Sequence, residues 1–411
     1  MNYIAFTVEH RRFLGFGLLL VLASSFAQTL FIGLFGADLR AEFGLSHGGF
    51  GLIFSLGTLA SAAIVMWVGR LIDRLDLRLY TLLIAGGLIG AFFLVAAAPT
   101  VYVLVLALFG LRTCGPTLRH VALTTMARFF RAERGKAVSI IWLGLPMGEA
   151  VLPALAVALN GALGWRMTWV AFAIALAVVL LPMSLWLLRG HQARYGDGTG
   201  AAPAGDDDDA ERHWSHREVL RDPRFWRILP TMLGEAIIVV SMFLHIAYLA
   251  SSKGWSPAWI ATCFVGFAVA TVAATLIAGA LIDRLSAVRL LPYYNLPLAL
   301  GLLLVAEFDH PLIALAFLVL AGLCTGSNRS VSSAVWPELY GATHIGAIRS
   351  VFLAVFMLST AVAPAVVGWL LDRAVSIETV ALLGVGYLAL ATILVAVGPG
   401  RLARQPKARQ I

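Results

Sequence analysis

The chain has 411 residues, of which 60% are hydrophobic and only 13% are charged. A soluble protein of this length cannot bury so much apolar surface, so the composition excludes that class and indicates that lipid surrounds most of the chain. The formal net charge of +8 then reflects orientation in a membrane and attraction to lipid headgroups, and it does not indicate nucleic acid binding.

Apolar runs follow one another along the whole chain, each near the roughly 20 residues that a helix needs to cross a bilayer. They predict an all-α membrane protein with twelve transmembrane helices. The runs cover residues 13–34, 48–69, 79–97, 101–127, 137–159, 168–188, 225–250, 257–280, 289–307, 311–335, 348–370 and 378–398.

Lysine and arginine predict the orientation of these helices, because cytoplasmic loops carry an excess of both. With the N-terminus in the cytoplasm, 23 of the 30 Lys and Arg residues fall on the cytoplasmic side, including those at the edges of runs, 4 fall outside and 3 lie in the interior of runs. We therefore expect a multi-pass protein of the bacterial inner (plasma) membrane with both termini in the cytoplasm.

One pentapeptide, Leu-Ile-Asp-Arg-Leu, occurs at 71–75 and again at 281–285, after the second and the eighth run. A repeat at nearly half the chain length indicates one structural unit used twice. The predicted domains are a six-helix bundle at 1–189, a cytoplasmic linker at 190–222, a second bundle at 223–400 and a cytoplasmic tail at 401–411. The linker contains the acidic run Asp206–Asp209, to which we assign no function.

The residues around the pentapeptide resemble the loop motif of the major facilitator superfamily. Gly69, Asp73, Arg74 and Arg78 match the motif, whereas Asp76 stands where the family has Gly. The second copy matches at Gly279, Asp283 and Arg284. The resemblance covers nearly the whole chain and implies a secondary transporter whose two halves alternate between outward-open and inward-open states. By resemblance, these motif residues form a conformational gate.

Further motifs resemble parts of the family. Arg112 with Gly115 is similar to the fourth-helix motif in which an arginine faces the cavity. Gly144 and Pro146 only loosely resemble the fifth-helix motif of drug:proton antiporters, because Leu145 replaces a glycine. The segment 129–135 is weakly similar to the corresponding loop of monocarboxylate carriers.

Charged residues inside apolar runs are the main functional signal, since each costs roughly 2.5–3.5 kcal/mol at mid-membrane unless a cavity or a partner receives it. Arg119 and Arg329 are 210 residues apart, the offset of the pentapeptides. We hypothesise that they face each other across a central cavity and clamp an anion. The alternatives are that Arg119 pairs with Glu149 or Glu235, or that the arginines reach toward the cytoplasm. We expect Arg112 to be a structural cavity residue more than a ligand.

Three buried titratable residues are candidates for proton coupling, namely Glu149, Glu235 and His245. For each glutamate the alternative is a permanent ion pair, and for the histidine it is a packing role. Polar residues within the runs complete the predicted substrate-binding set. These wall residues are Gln28, Asn328 and Tyr293.

The sequence contains no phosphate-binding loop, paired-histidine metal motif or nucleophile elbow, so we expect neither an enzyme nor a cofactor. The three dispersed cysteines indicate neither a disulfide framework nor a metal site. The predicted function is proton-coupled transport of a small organic anion, most simply a carboxylate, by a monomer that binds no nucleic acid. The alternative is proton-driven export of drugs or other amphipathic compounds.

Overall fold

The computed structural model describes residues 3–130, 133–190, 221–340 and 345–397, without the side chains of Met66, Asp73 and residues 345–347. The predicted tail 401–411 and nearly all of the predicted linker 190–222 lie outside these ranges, including the acidic run Asp206–Asp209. The predicted extent of the linker and of the tail therefore stays a prediction.

The first part of the chain folds into helices that are interrupted at several points within single membrane crossings. They are α1 (Tyr3–Glu9), α2 (Arg11–Ser24), α3 (Thr29–Leu34), α4 (Gly36–Phe43), α5 (His47–Arg70), α6 (Leu77–Ala97), α7 (Val101–Phe129), α8 (Arg134–Trp142), α9 (Gly144–Leu163), α10 (Trp165–Ala175) and α11 (Leu181–Leu187). Short 3₁₀ segments at Ser25–Ala27 and Leu71–Asp73 and a π-helical segment at Leu176–Leu180 join some of them.

The second part continues in the same manner, with its first and third crossings also divided. Its helices are α12 (Pro223–Leu244), α13 (Ile246–Ser252), α14 (Pro257–Leu285), α15 (Ala287–Leu290), α16 (Leu296–Glu307), α17 (Pro311–Tyr340), α18 (Ile345–Asp372) and α19 (Ile377–Ala396).

The predicted all-α membrane fold is confirmed, and each of the twelve apolar runs corresponds to helical structure. Within the described ranges, eleven stretches are long and apolar enough to span a membrane, and α16 is a shorter apolar helix. The short span arises because residues 291–295 form turns that separate α15 from α16.

The chain divides into two compact units by its contacts. The first unit comprises Met1–Asp207 with Leu244–Tyr248, and the second comprises Asp208–Phe243 with Leu249–Ile411. In the first unit, α2 packs on α7, α8 and α9, and α7 also packs on α5 and α6. In the second unit, α17 packs along α14 and α16, and α16 packs on α19.

One arginine joins three loops at one end of the first unit. Nη1 of Arg166 donates to the carbonyl oxygens of Ala96 (2.6 Å) and Ala98 (3.2 Å), and Nη2 donates to Glu42 Oε1 at 2.8 Å. We call this group the Arg166 clasp. It fixes the ends of α4, α6 and α10 against one another, because a single guanidinium supplies several donors in one plane.

A lysine makes the corresponding connection in the second unit. Nζ of Lys253 lies 2.6 Å from Asp309 Oδ1 and 2.8 Å from Glu378 Oε1, and only 2% of its side chain is exposed. Burial acts to lower the pKa of Lys253, but the hydrogen bonds and charges of the two carboxylates outweigh it, so the pKa is raised. We call this group the Lys253 clasp.

Candidate functional site

The first membrane crossing is broken near its middle. Helix α2 ends at Ser24, a 3₁₀ turn follows, and Gln28 is extended (φ −70°, ψ 150°) before α3 begins. A break at this depth frees backbone groups that lipid cannot satisfy, so other helices must supply partners. Nη1 of Arg112 donates to the Ala27 carbonyl oxygen at 3.4 Å, and Ser25 Oγ donates to the Leu145 carbonyl oxygen at 3.4 Å.

Glycines on neighbouring helices allow this close approach. A Cβ atom on Gly144 would lie 2.5 Å from the Leu18 carbonyl oxygen. Cβ atoms on Gly115 and Gly148 would overlap side-chain atoms of Ala27 and Ser25, respectively. These glycines of α7 and α9 therefore let both helices pack directly against the broken first crossing.

Arg112 has no acidic partner among the residues that the structure describes. Its guanidinium carbon lies 5.3 Å from the centre of the Phe54 ring, and its buried Nε has no hydrogen-bond partner. The hydrogen bond to Ala27 is a structural contact, and the expected balance between a structural and a ligand role stays a prediction. Because one weak bond to a carbonyl oxygen leaves most of its donors unused, Arg112 also has the capacity to bind an anion.

Arg119 and Glu149, two further predicted site residues, also belong to the first unit. Arg119 is half-buried on α7, seven residues beyond Arg112 and hence nearly on the same face of the helix. Its guanidinium carbon lies 5.9 Å from the Trp142 ring centre. Glu149 is buried on α9, with 4% of its surface exposed.

The second unit places a buried carboxylate against two neutral donors. Glu235, on α12, accepts hydrogen bonds from Thr325 Oγ1 at 2.5 Å and from Asn328 Nδ2 at 2.9 Å, both on α17. Among the described residues Glu235 forms no ion pair. Its hydrogen-bond partners within the second unit are a hydroxyl and an amide, both neutral. Arg329 follows Asn328 on α17 and is half-buried.

More polar groups continue from this pair toward α16. The Thr231 carbonyl oxygen accepts hydrogen bonds from Tyr294 Oη (2.5 Å) and Asn295 Nδ2 (3.0 Å), and Cys324 Sγ donates to Asn295 Oδ1 at 3.3 Å. The turn at 291–295 thus faces α12 with its polar residues, which explains why the ninth run is divided. Oδ1 of Asn328 is buried without a hydrogen-bond partner in the described part of the chain.

The sequence-based prediction missed Thr231 and Thr325 as members of this network. An isolated threonine in an apolar helix is usually a packing residue, so neither carried a signal of its own. The spacing of Thr325 and Asn328, three residues apart on one helix, was the available indication, because such residues share a face.

His245 lies apart from Glu235, ten residues further along the chain or about 15 Å at the rise of an α-helix. It stands between α12 and α13, is 3% exposed, and its ring centre is 6.0 Å from that of His47. The His47 ring also contacts Tyr248, at 4.3 Å between centres. The structure therefore does not bring the predicted proton-coupling residues Glu235 and His245 together.

The side chain of Tyr293 differs in exposure from those of the next two residues in the sequence. Whereas Tyr294 and Asn295 are buried against α12, Tyr293 is 63% exposed and lines a groove with residues of α14 and α17. Its predicted place in a substrate-binding wall stays a prediction.

The first loop motif acts locally as a helix cap. Asp76 Oδ1 accepts from the backbone N–H groups of Arg78 (2.8 Å) and Leu79 (3.3 Å) and so caps α6. Arg78 Nη2 donates to the Leu188 carbonyl oxygen at the end of α11 at 3.2 Å. Arg74 is exposed and a Cβ atom on Gly69 would meet nothing within 4 Å, while the Asp73 side chain lies outside the described residues.

The second copy of the motif ends α14 differently. Ser286, the equivalent of Asp76 at an offset of 210, has φ +92°, a left-handed conformation that favours glycine. The Ala287 N–H donates to Glu338 Oε2 at 2.7 Å. Asp283 and Arg284 are exposed and a Cβ atom on Gly279 would meet nothing within 4 Å, so the predicted gating role of both copies stays a prediction.

No group of three His, Cys, Asp or Glu residues suited to a metal ion occurs in the described ranges. The family model of the Major Facilitator Superfamily matches residues 17–265 and 236–410. No curated protein matches the sequence.

Two solved structures show the same fold at low sequence identity. One is a bacterial homolog of the human lysosomal transporter Spinster, inward-facing and unoccupied, with a TM-score of 0.70 at 16% identity over 96% of this chain and 98% of that one. The other is a variant of the nucleoside transporter NupG, with a TM-score of 0.71 at 15% identity over 94% and 98%. At these identities the likeness concerns the fold alone.

Proposed function

Because the chain belongs to the Major Facilitator Superfamily, whose members are secondary transporters and not enzymes, we propose that it carries a small organic anion, specifically a carboxylate, across its membrane together with protons. The observation that supports the anion is Arg112, a guanidinium within a spanning helix that has no acidic partner among the described residues. A bound carboxylate would accept hydrogen bonds from the guanidinium N–H groups that do not donate to the Ala27 carbonyl oxygen.

Arg119 and Arg329 are the further residues to which we assign anion binding. Each is half-buried in a spanning helix of its own unit, where a charge is retained only if a cavity or partner receives it. A guanidinium fork binds both oxygens of a carboxylate through paired, charge-assisted hydrogen bonds. An anion held by residues from both units would couple its binding to their alternation.

Glu235 is the first candidate for the residue that binds the proton, because it too is a titratable group buried in a spanning helix. Its carboxylate is 7% exposed, and its partners Thr325 and Asn328 are neutral donors. An ionised carboxylate in apolar surroundings is costly without a cation, so uptake of a proton would remove that cost during the conformational change. Glu149, also buried, is the second candidate and His245 the third.

Uptake by proteoliposomes tests the anion. A panel of mono- and dicarboxylates is offered under an imposed proton gradient to the wild type and to Arg112→Gln, Arg119→Ala and Arg329→Ala. Loss of charge-assisted hydrogen bonds worth about 1.5–3 kcal/mol should weaken apparent affinity on the order of 10–100-fold. Arg373→Gln, at the exposed end of α18, is the matched control and should leave uptake normal.

The proton is tested separately with Glu235→Gln and Glu149→Gln, which keep the shape and remove the titratable group. We expect Glu235→Gln to abolish gradient-driven accumulation while substrate exchange continues. Accumulation that survives in both variants would exclude both carboxylates. Normal carboxylate uptake by all the arginine variants would instead contradict the proposal that these arginines bind an anionic substrate. It would favour the alternative, export of amphipathic compounds.

A further inference from the structure

A groove of about 260 Å³ lies in the second unit between α14, α17 and the turn that precedes α16. Its lining is apolar apart from Tyr293, Tyr294 and Ser327. Ile277 is 58% exposed and Tyr293 is 63% exposed. Contiguous exposed apolar surface on a spanning helix is the kind that hydrocarbon covers, so we take this groove to face lipid. Its apolar lining suits an acyl chain.

Basic residues stand at one end of the groove. Arg284 lies one helical turn beyond the lining residue Leu281, and Arg289 directly precedes the lining residue Leu290. Both arginines are exposed, and neither forms an ion pair with a described residue. Tyr293 is a residue type enriched at the level of lipid headgroups.

Two carboxylates share this end of the unit. Glu338 accepts the N–H of Ala287 at 2.7 Å, so one of its oxygens is engaged with the backbone. Asp283 is exposed and precedes Arg284 on the terminal turn of α14. Neither carboxylate forms an ion pair with Arg284 or Arg289, so both arginines remain available to a phosphate. Arginines beside a spanning helix attract anionic headgroups.

We infer that the groove binds an acyl chain of an anionic phospholipid, with Arg284 and Arg289 holding the headgroup phosphate. Tyr293 is then a lipid contact and not part of a substrate wall. The inference is independent of the transported substrate, because it concerns groups on the lipid-facing side of α14 and α16.

Native mass spectrometry of the full chain tests this binding. The protein is released from nanodiscs that contain equal amounts of phosphatidylglycerol and phosphatidylethanolamine of the same acyl composition. In the wild type, bound lipid should be enriched in phosphatidylglycerol. Arg284→Gln with Arg289→Gln should reduce that enrichment by about fivefold for each arginine that contacts the phosphate. Arg11→Gln with Arg12→Gln removes the same charge from another exposed basic segment and should leave the enrichment intact.

The apolar part of the site is tested with Ile277→Trp, which fills the groove from an exposed position, and with Ser327→Phe, which fills it from α17. Either variant should lower retention of both lipids while the fold stays intact by circular dichroism. The inference is overturned by an enrichment that persists in the Arg284 and Arg289 double variant, or by equal loss in the Arg11 and Arg12 control. Undiminished lipid retention in a folded groove variant would overturn it as well.

Discussion

At the scale of single residues, the buried charges of this protein differ in how they are compensated. Lys253 meets two carboxylates, whereas Glu235 meets an amide and a hydroxyl. The two carboxylates compensate the buried charge of Lys253. Glu235 forms no ion pair with any described residue, and this difference from Lys253 is the observation behind its proposed coupling role.

Replacement of Lys253 by methionine should lower stability by about 1.5–3 kcal/mol, the range for hydrogen bonds to charged groups. Because the pKa of Lys253 is raised in the folded protein, its contribution is complete below about pH 10.4, the ordinary lysine value, and is lost as pH rises through the higher folded pKa. Thermal unfolding in detergent, from pH 7 to 11, should show a deficit in Lys253→Met that narrows at the alkaline end. A deficit that is constant with pH would contradict this.

The cap of α6 gives a second prediction at this scale. Asp76→Ala removes the acceptor for the N–H groups of Arg78 and Leu79 and should cost about 1 kcal/mol. Asp76→Gly, the residue that the family motif has here, should cost only a few tenths. The measurement is the denaturation midpoint of each variant. An equal loss of stability in the two variants would show that the side-chain cap contributes little.

At the scale of elements, the broken first crossing depends on glycines in its neighbours. Backbone of α9 approaches α2 so closely that no Cβ fits at Gly144, and the freed carbonyl oxygen of Ala27 is met by Arg112. The helices α2, α3, α7 and α9 therefore hold the break together. A change in their packing would alter the surroundings of Arg112 as well as the stability of the unit.

Two alanine substitutions within α9 separate packing from helix propensity. Gly144→Ala places a Cβ 2.5 Å from the Leu18 carbonyl oxygen, so it should destabilise by about 1–3 kcal/mol despite the better propensity of alanine. A Cβ on Gly161 meets nothing within 4 Å, and Gly161→Ala should stabilise by about 0.5–1 kcal/mol. Thermal unfolding of both variants is the measurement, and a stabilising Gly144→Ala would exclude the close packing.

At the scale of the whole molecule, the two clasps occupy equivalent places with opposite charges. Glu42 and Lys253 are 211 residues apart, and Arg166 and Glu378 are 212 apart, close to the repeat offset. Thus the acid lies at the end of the first crossing in one unit, and the base directly follows the first crossing in the other. Each unit keeps an ion pair between the end of its first crossing and the start of its sixth, which indicates that connecting these two helix ends is the shared requirement and the sign of each charge is not.

Because the clasps share no partner, their effects on stability should add. Glu42→Gln should cost about 0.2–1 kcal/mol, since both side chains of that pair are partly exposed. Glu378→Gln should cost up to about 1.5–3 kcal/mol, because Lys253 is buried. The double variant should lose the sum within about 0.5 kcal/mol. A larger coupling in the unfolding free energies would contradict independent clasps.

The sequence by itself determined the architecture. Twelve apolar runs, a pentapeptide repeated at an offset of 210 and a family motif were sufficient for the all-α membrane fold and the family, because the bilayer permits few other solutions for so apolar a chain. The sequence also indicated which charged residues are candidates for function, because a charge within a spanning helix is costly unless a cavity or a partner receives it.

Only the tertiary structure decided which polar groups meet. The sequence allowed Glu235 to pair with an arginine. In the structure, Glu235 on α12 accepts hydrogen bonds from Thr325 and Asn328 on α17. Tyr293 and Tyr294 are adjacent in the chain and both line the groove, and yet Tyr293 is 63% exposed whereas Tyr294 is buried and donates to a carbonyl oxygen of α12. Partners of this kind depend on the rotation and depth of each helix, which a hydrophobic run of about 20 residues leaves open.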